Sequence, residues 1–252
     1  MTSTGRATAP AVRRVTIRFP QCDPAGIVFY PRYFEMLLRH FPDAPLAETP
    51  LAVSTRFLRP NRLGDTIELA FSGGEDWSCV GRMDGDTCFS MAPMQEAGPL
   101  ADDAHRPDDN AFRTSDEILG DWALDRTGRL HLSRYFEFVN MAIEEWLADT
   151  LEIPFHELHV GRAVGIPTVS FDTVVRERPE GGATVSTWIR PTRLGTKSMT
   201  FKSWFVADGR SVIENEQVVV FVEMQEQGFE SIEIPDDIAE AFSHQLDDQG
   251  AN

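Results

Sequence analysis

The residue best suited to chemistry in this sequence is a carboxylate set between turn-forming residues. Asp23 is followed by Pro24 and Gly26, and the aromatic segment 29–34 comes shortly after them. A carboxylate can act as a nucleophile or can take a proton from water. Because Asp is also a common helix cap, this residue taken alone would be interpreted as part of a turn.

A second copy of this segment favours a functional role for Asp23 over a purely structural role in a turn. Six identities recur without a gap 102 residues downstream, and they pair Asp23 with Asp125, Gly26 with Gly128, and an Arg-Tyr-Phe-Glu run with its copy. A repeat of this kind indicates that the chain carries one structural unit twice. The neighbours of Asp125 have drifted, so we interpret it as a relic that holds a helix start. A second working site, with His131 as a nearby base, is the alternative.

The composition is that of a soluble globular protein, with 42% hydrophobic and 25% charged residues. The net charge of −17 argues against nucleic acid or an anionic membrane as a partner, since both require basic patches. Three cysteines without a close pair suit a reduced cytoplasm better than a disulfide scaffold. We find no signal peptide and no apolar run of about 18 residues, and we expect a cytoplasmic protein.

Apolar spacing and turn residues predict an α+β architecture that occurs twice. In each unit a helix precedes a series of antiparallel strands, and the first helix should end before Pro42 while the second spans 133–149. Two weaker strands should flank residues 84–86. The other strands are expected at 12–19, 53–58, 66–71, 168–176, 183–189, 198–206 and 211–223.

The two units have predicted bounds of 11–94 and 117–243. Residues 95–116 are rich in Asp, Pro, Ala and Gly and are expected to form an acidic linker. The first unit combines an intact turn with a shortened sheet, whereas the second combines a full sheet with a degraded turn. We expect each helix to lie across a curved sheet.

The order of these segments resembles that of the hotdog-fold acyl-CoA thioesterases, and within them the 4-hydroxybenzoyl-CoA thioesterase type. Residues 16–41 carry the family's N-terminal signature, with Asp-Pro-Ala-Gly-Ile-Val-Phe-Tyr-Pro at 23–31, and residues 163–240 resemble its sheet and C-terminal segment. The resemblance implies a double hotdog, in which the two repeats pair like the subunits of the family's dimer. Whether two such chains form a homodimer is left open.

The resemblance also implies an activity, the hydrolysis of an acyl- or aroyl-CoA thioester to CoA and the free acid without metal or other cofactor. It places the nucleophile or general base at Asp23, and the sequence does not separate these two roles. It assigns polarisation of the thioester carbonyl to the backbone N–H of Tyr30, in a turn that contains Gly26. The first N–H groups of a helix suit this task, because they are unpaired and lie at its positive end.

A basic cluster in the second unit is the candidate contact for the phosphates of CoA. It comprises Arg190, Arg193 and Lys197, and Ser198 follows. Guanidinium and ammonium groups suit phosphates, although a solvated turn explains the same residues. Residues 59–64 echo residues 190–195 at an offset of 131, which indicates either an insertion or a coincidence. We expect one competent site per chain, built from Asp23 and this cluster.

Two other functions remain open. One is a catalytically silent hotdog protein that binds acyl-CoA or regulates, and the other is an enoyl-CoA hydratase. The hydratase ranks last, because that chemistry usually pairs an Asp with a His a few residues on, and no His follows Asp23 closely. His156 and His159 suggest a zinc site, but they are three residues apart instead of the four of the HExxH motif, and no third ligand is evident. We therefore expect no metal.

Overall fold

A computed structural model of the chain describes residues 10–94, 107, 110–225 and 228–247. Most of the linker expected at 95–116 lies outside these residues. Its described part departs from the expectation, because Phe112–Arg113 forms a strand that pairs with Trp188 and Ile189. The pairing adds this segment to the edge of a sheet.

The first half of the chain forms one helix and five strands, as the apolar spacing predicts. Pro31 occupies the first helical position, where its missing N–H costs nothing, and the helix ends one residue before the Phe41-Pro42 pair. Short helical turns lie at Phe19–Gln21 and Pro45–Ala47. The elements are β1 (Ala11–Thr16), α1 (Pro31–His40), β2 (Leu51–Phe57), β3 (Thr66–Ser72), β4 (Ser78–Met83) and β5 (Asp86–Pro93).

The second half contains a longer helix, a larger set of strands and a C-terminal helix that was not among the expectations. The strand expected at 211–223 is divided into two, because the N–H of Phe221 donates instead to the carbonyl of Lys197 (2.9 Å). A helical turn at Glu157–Gly161 precedes β8. The elements are β6 (Phe112–Arg113), β7 (Glu117–Ile118), α2 (Leu132–Thr150), β8 (Val164–Gly165), β9 (Thr168–Val175), β10 (Thr184–Leu194), β11 (Ser198–Ala207), β12 (Arg210–Val220), β13 (Val222–Gln225), β14 (Gly228–Ser231) and α3 (Asp236–Asp247).

Eleven of the described strands form one antiparallel sheet, and its two halves join where β2 pairs with β9. The strand order is β1-β3-β4-β5-β2-β9-β12-β11-β10-β6, and β7 also pairs with β10. At the junction Leu51 lies opposite Val175 and Arg56 lies opposite Ser170. The remaining three strands form a small sheet in the order β14-β13-β8. The α+β fold class, with helices packed on a large antiparallel sheet, is confirmed.

Helices α1 and α2 contact each other and pack on the sheet through aromatic residues. The rings of Phe34 and Phe136, one from each helix, stack with centroids 4.2 Å apart, and both side chains are fully buried. Each helix also places a tyrosine against its own half of the sheet, Tyr33 on Phe89 at 4.5 Å and Tyr135 on Phe205 at 5.7 Å. This packing brings the starts of the two helices, and the turns before them, to the junction of the units.

Candidate active site

Asp23 lies in a tight turn between β1 and α1 that is held by its own backbone. The N–H of Asp23 donates to the carbonyl of Ile27 (2.8 Å), and the N–H of Gly26 donates to the carbonyl of Asp23 (2.9 Å). The N–H of Ile27 donates in turn to Oδ1 of Asp23 (3.1 Å). Gly26 has a φ of 75°, a left-handed conformation that glycine adopts without strain. The half-buried carboxylate is therefore fixed by backbone donors.

A buried asparagine that sequence analysis missed attaches this turn to α1. The carbonyl of Asn61 accepts from the N–H of Val28 (2.9 Å), and its side-chain oxygen accepts from the hydroxyl of Tyr33 (2.9 Å). Leu63 completes the attachment by donating its N–H to the carbonyl of Gly26 (3.1 Å). Asn61 is fully buried, and the only sequence signal at this position is a polar residue after a proline.

The turn at Asp125 repeats this backbone geometry in the second unit. The N–H of Leu130 donates to the carbonyl of Pro179 (2.8 Å), and the N–H of Gly181 donates to the carbonyl of Gly128 (3.1 Å). Residues 179–181 thus occupy the place that residues 61–63 occupy in the first unit. The resemblance of residues 59–64 to residues 190–195 is therefore a coincidence of sequence and not a structural repeat.

The side chains around the two aspartates differ. Arg178 is buried and places its Nη1 2.6 Å from Oδ2 of Asp125, while Thr127 donates its N–H (2.7 Å) and its hydroxyl (2.6 Å) to Oδ1. Burial opposes ionisation of Asp125, but the bonds from Thr127 and Arg178 outweigh it and lower the pKa to about 2. Pro60 stands at the position equivalent to Arg178, and among the described residues no arginine or lysine forms a salt bridge with Asp23.

His131 also has a local role at the start of α2. Its Nδ1 accepts from the N–H of Ser133 (3.2 Å), so the imidazole caps the helix. Burial lowers the pKa of His131. Asp125 and His131, which the repeat suggested as a second site, thus each form bonds that hold the turn or the helix start.

Asp23 interacts instead with a histidine of the second unit. Burial raises the pKa of Asp23, while bonds from the Ile27 and Ala25 backbone and the charge of His159 oppose the rise. Burial lowers the pKa of His159, against the Phe155 carbonyl and the charge of Asp23. His159 lies on the turn before β8, with Nδ1 3.3 Å from the carbonyl of Phe155. Sequence analysis considered it only as a zinc ligand.

The small sheet also lies near the Asp23 turn. The guanidinium carbon of Arg62, beside the Asp23 turn, lies 5.6 Å from the ring centroid of Phe229 on β14. Because β14 pairs with β13 and β13 pairs with β8, the segment that carries His159 is held close to the turn. Residues from the second half of the chain therefore lie near the Asp23 turn.

The basic cluster has a different arrangement from the expected turn. Arg190 and Arg193 lie on β10, because that strand continues to Leu194 with a bulge before Arg193. Only residues 195–197 form the connection, and Ser198 begins β11. The ammonium of Lys197 donates to the carbonyl of Ser231 at the end of β14 (2.9 Å). Lys197, one member of the basic cluster, is thus hydrogen-bonded to the small sheet.

Tyr30 provides backbone to the site and side chain to the core. Its hydroxyl donates to the carbonyl of Phe136 (3.1 Å), and burial raises the pKa of the Tyr30 phenol well above its ordinary value. Its own N–H, directly before Pro31, has no acceptor in the described part of the chain. A free donor therefore lies at the start of α1, close in sequence to Asp23.

Other features bear on cofactors and membranes. Within residues 10–94, 107, 110–225 and 228–247, no three His, Cys, Asp or Glu side chains come together as metal ligands would. None of the helices in that part of the chain has the length and apolar character that crossing a bilayer requires.

Comparisons with known proteins identify the fold. No family model matches the sequence, and no curated protein is similar to it. A crystal structure from Lactobacillus plantarum, described as an oleoyl thioesterase, is similar with a TM-score of 0.63 at 12% identity, over 89% of this chain and 100% of that chain. A thioesterase-superfamily structure from Jannaschia sp. CCS1 has a TM-score of 0.50 at 23% identity, over 56% of this chain and 96% of that one. The chain has the hotdog fold.

Proposed function

We propose that this protein hydrolyses a thioester at a single site built around Asp23. The observation that supports the proposal is the contrast between the two repeated turns. Arg178 neutralises the carboxylate of Asp125, whereas Asp23 has backbone donors, a histidine and no paired arginine or lysine in the described residues. A carboxylate with a raised pKa, in a hotdog fold and beside a free helix-start donor, suits nucleophilic or general-base chemistry.

Two routes are compatible with this arrangement. In the first, the Asp23 carboxylate attacks the carbonyl carbon, the C–S bond breaks, the thiolate leaves and is protonated by water, and water then cleaves the mixed anhydride. In the second, Asp23 takes a proton from water, which attacks the same carbon directly, the C–S bond breaks, and the thiolate leaves and takes up the proton. In both, negative charge develops on the carbonyl oxygen, and the N–H of Tyr30 would stabilise it. Losing one such donor typically costs roughly 10²–10³ in rate.

The apolar part of the substrate would lie against aromatic side chains at the junction of the units. The ring of Tyr30 is 5.0 Å from that of Phe171 and 6.3 Å from that of Phe136, and Phe57 is 6.1 Å from Phe171. These side chains come from both halves of the chain. We propose an acyl- or aroyl-CoA as the substrate class. The contacts of Arg190, Arg193, Lys197 and Ser198 with its carrier stay a prediction from the sequence and are not part of this proposal.

Thiol release from a panel of aromatic and straight-chain acyl-CoA esters tests the proposal. The wild-type protein should release thiol from at least one of them, and Asp23→Asn should reduce the rate by roughly 10² or more, as expected for removal of a catalytic carboxylate. The thermal midpoint of Asp23→Asn should not fall, because burial of the ionised carboxylate opposes folding above its ordinary pKa. Binding of acyl-CoA without turnover would instead favour a silent binding protein.

The interaction of Asp23 with His159 favours a second candidate, the hydration of an enoyl thioester. The sequence ranked this reaction last for lack of a nearby His, but the fold supplies one from the other unit. In that reaction the water oxygen adds to the β-carbon and a proton adds to the α-carbon, so no thiol is released. Loss of the conjugated absorbance of a short enoyl-CoA, without thiol release, would identify it.

A further inference from the structure

A groove of about 590 Å³ lies between β1 and α1, outside the residues assigned so far to the carrier. Among the described strands, β1 lies at an edge of the large sheet and pairs with β3 alone, and residues of β1 and α1 line the groove together. Four arginines line the groove, Arg14 and Arg18 from the strand side and Arg32 and Arg39 from the helix. Its volume is within the usual range for small-molecule sites, about 300–1,000 Å³.

The charge of this groove is opposite to that of the chain, which has a net charge of −17. Glu35 is the acidic side chain in the lining, and it lies 3.0 Å from Arg32, which also lies 3.0 Å from Glu137 of α2. The remaining three arginines form no salt bridge within the described residues and are exposed. An unbalanced cluster of guanidinium groups is thus held open to solvent.

Two residues of the groove lining are close in sequence to the candidate active site. Gln21 belongs to its lining and precedes Asp23 by two residues, and the carbonyl of Gln21 accepts from the N–H of Phe29 (3.0 Å). At the helix side, Arg32 follows Tyr30 by two residues. The groove is thus lined on each side by a residue two positions away from a candidate site residue, and the nucleotide end of a long ligand would occupy it.

We propose that this groove binds the phosphate groups at the nucleotide end of the CoA thioester. The proposal rests on the thioesterase function and changes the location expected for the carrier. Guanidinium groups form paired bonds to phosphate oxygens, and three of them are available here. In the 190–198 cluster the Lys197 ammonium is already bonded to a backbone carbonyl. Arg193, like the groove arginines, is exposed.

The test uses adenosine 3′-phosphate 5′-diphosphate, the nucleotide fragment of CoA, as the probe, with binding measured by calorimetry on the full chain. Arg14→Gln combined with Arg39→Gln removes two charges from the groove, and Arg193→Gln combined with Lys197→Gln removes the same number from the cluster. The groove variant should raise the dissociation constant by about tenfold or more, in keeping with the loss of charge-assisted bonds. The cluster variant should bind as the wild type does.

Two further measurements separate the nucleotide from the rest of the carrier. With an acyl-CoA, the groove variant should show a raised KM and an unchanged kcat. With the matching acyl-pantetheine thioester, which lacks the nucleotide, it should react as the wild type does. A carrier-protein substrate predicts instead that the nucleotide neither binds nor changes KM, and this result would overturn the proposal.

The remaining outcomes test nucleotide binding in the groove separately from thioesterase activity. Equal weakening in both double variants would show a general charge effect and would overturn the assignment, as would weakening in the cluster variant alone. Because nucleotide binding needs no turnover, Asp23→Asn should retain it. If the nucleotide binds tightly through the groove but the protein cleaves no thioester, the binding proposal is supported and the thioesterase proposal is wrong. Unchanged thermal midpoints exclude unfolding of either variant.

Discussion

The guanidinium of Arg178 lies 2.6 Å from the carboxylate of Asp125, and the backbone places Pro60 at the equivalent position beside Asp23. Two copies of one turn have thus diverged in the side chain that faces the carboxylate. In the second copy the cation stabilises the charge and fixes it in place. In the first copy the carboxylate is left with a raised pKa, which is the property a nucleophile or base requires.

Asp125 should contribute to stability and not to activity. Its pKa is lowered from 3.8 to about 2, so its contribution is fully present above about pH 4 and is lost as the pH falls toward 2. We expect Asp125→Asn to lower the free energy of unfolding by about 1–2 kcal/mol at neutral pH, after allowance for solvent screening. Urea unfolding at several pH values checks this, and the gap between variant and wild type should narrow in acid. A large loss of specific activity would contradict the assignment.

Pro60→Arg should convert the first turn toward the state of the second. A cation beside Asp23 stabilises its ionised form, lowers its pKa and makes it a weaker base. We expect the acidic limb of the pH profile of kcat/KM to move to lower pH, with activity at neutral pH reduced roughly tenfold. Pro60→Gln is the matched control, since it removes the proline without adding a charge. Identical profiles for the two variants would show that the cation has no effect on Asp23.

His159 should affect the pH dependence of the site. When protonated it lowers the pKa of Asp23, so His159→Asn should raise that pKa and move the acidic limb of kcat/KM to higher pH. The exposed His156, three residues away, provides the control, because His156→Asn changes the same residue type outside this contact. If both variants leave the limb in place, His159 does not act on Asp23 during the reaction.

Tyr30→Phe should separate the two roles of that residue. The change removes the bond from its hydroxyl to the carbonyl of Phe136, which keeps its helical backbone bond within α2, and loss of one such hydrogen bond typically costs about 0.5–1.5 kcal/mol. The backbone N–H remains, so kcat should stay within about twofold of the wild type if the donor acts from the backbone. Thermal unfolding and thiol release measure the two effects. A collapse of kcat with an intact fold would assign the chemistry to the phenol.

Local patterns predicted α1, α2 and most of the long strands, together with the turn that carries Asp23. Helical spacing places α1 and α2, because their aromatic residues must lie on one face to be buried. The repeat located both turns, and Gly26 and Gly128 recur because each adopts a positive φ, 75° and 79°. These features depend on neighbours in the chain, which a sequence displays directly.

Only the tertiary structure decided which side chains face each carboxylate. Arg178 lies 53 residues from Asp125 and His159 lies 136 residues from Asp23, so neither contact leaves a local pattern. The arginine groove likewise has no local pattern, because it forms only when the fold places β1 beside α1. Residues 59–64 resemble residues 190–195 in sequence, but the two segments occupy different places in the fold. The interaction between two charges depends on their separation in the folded chain, and the pairing of strands that are distant in sequence sets that separation.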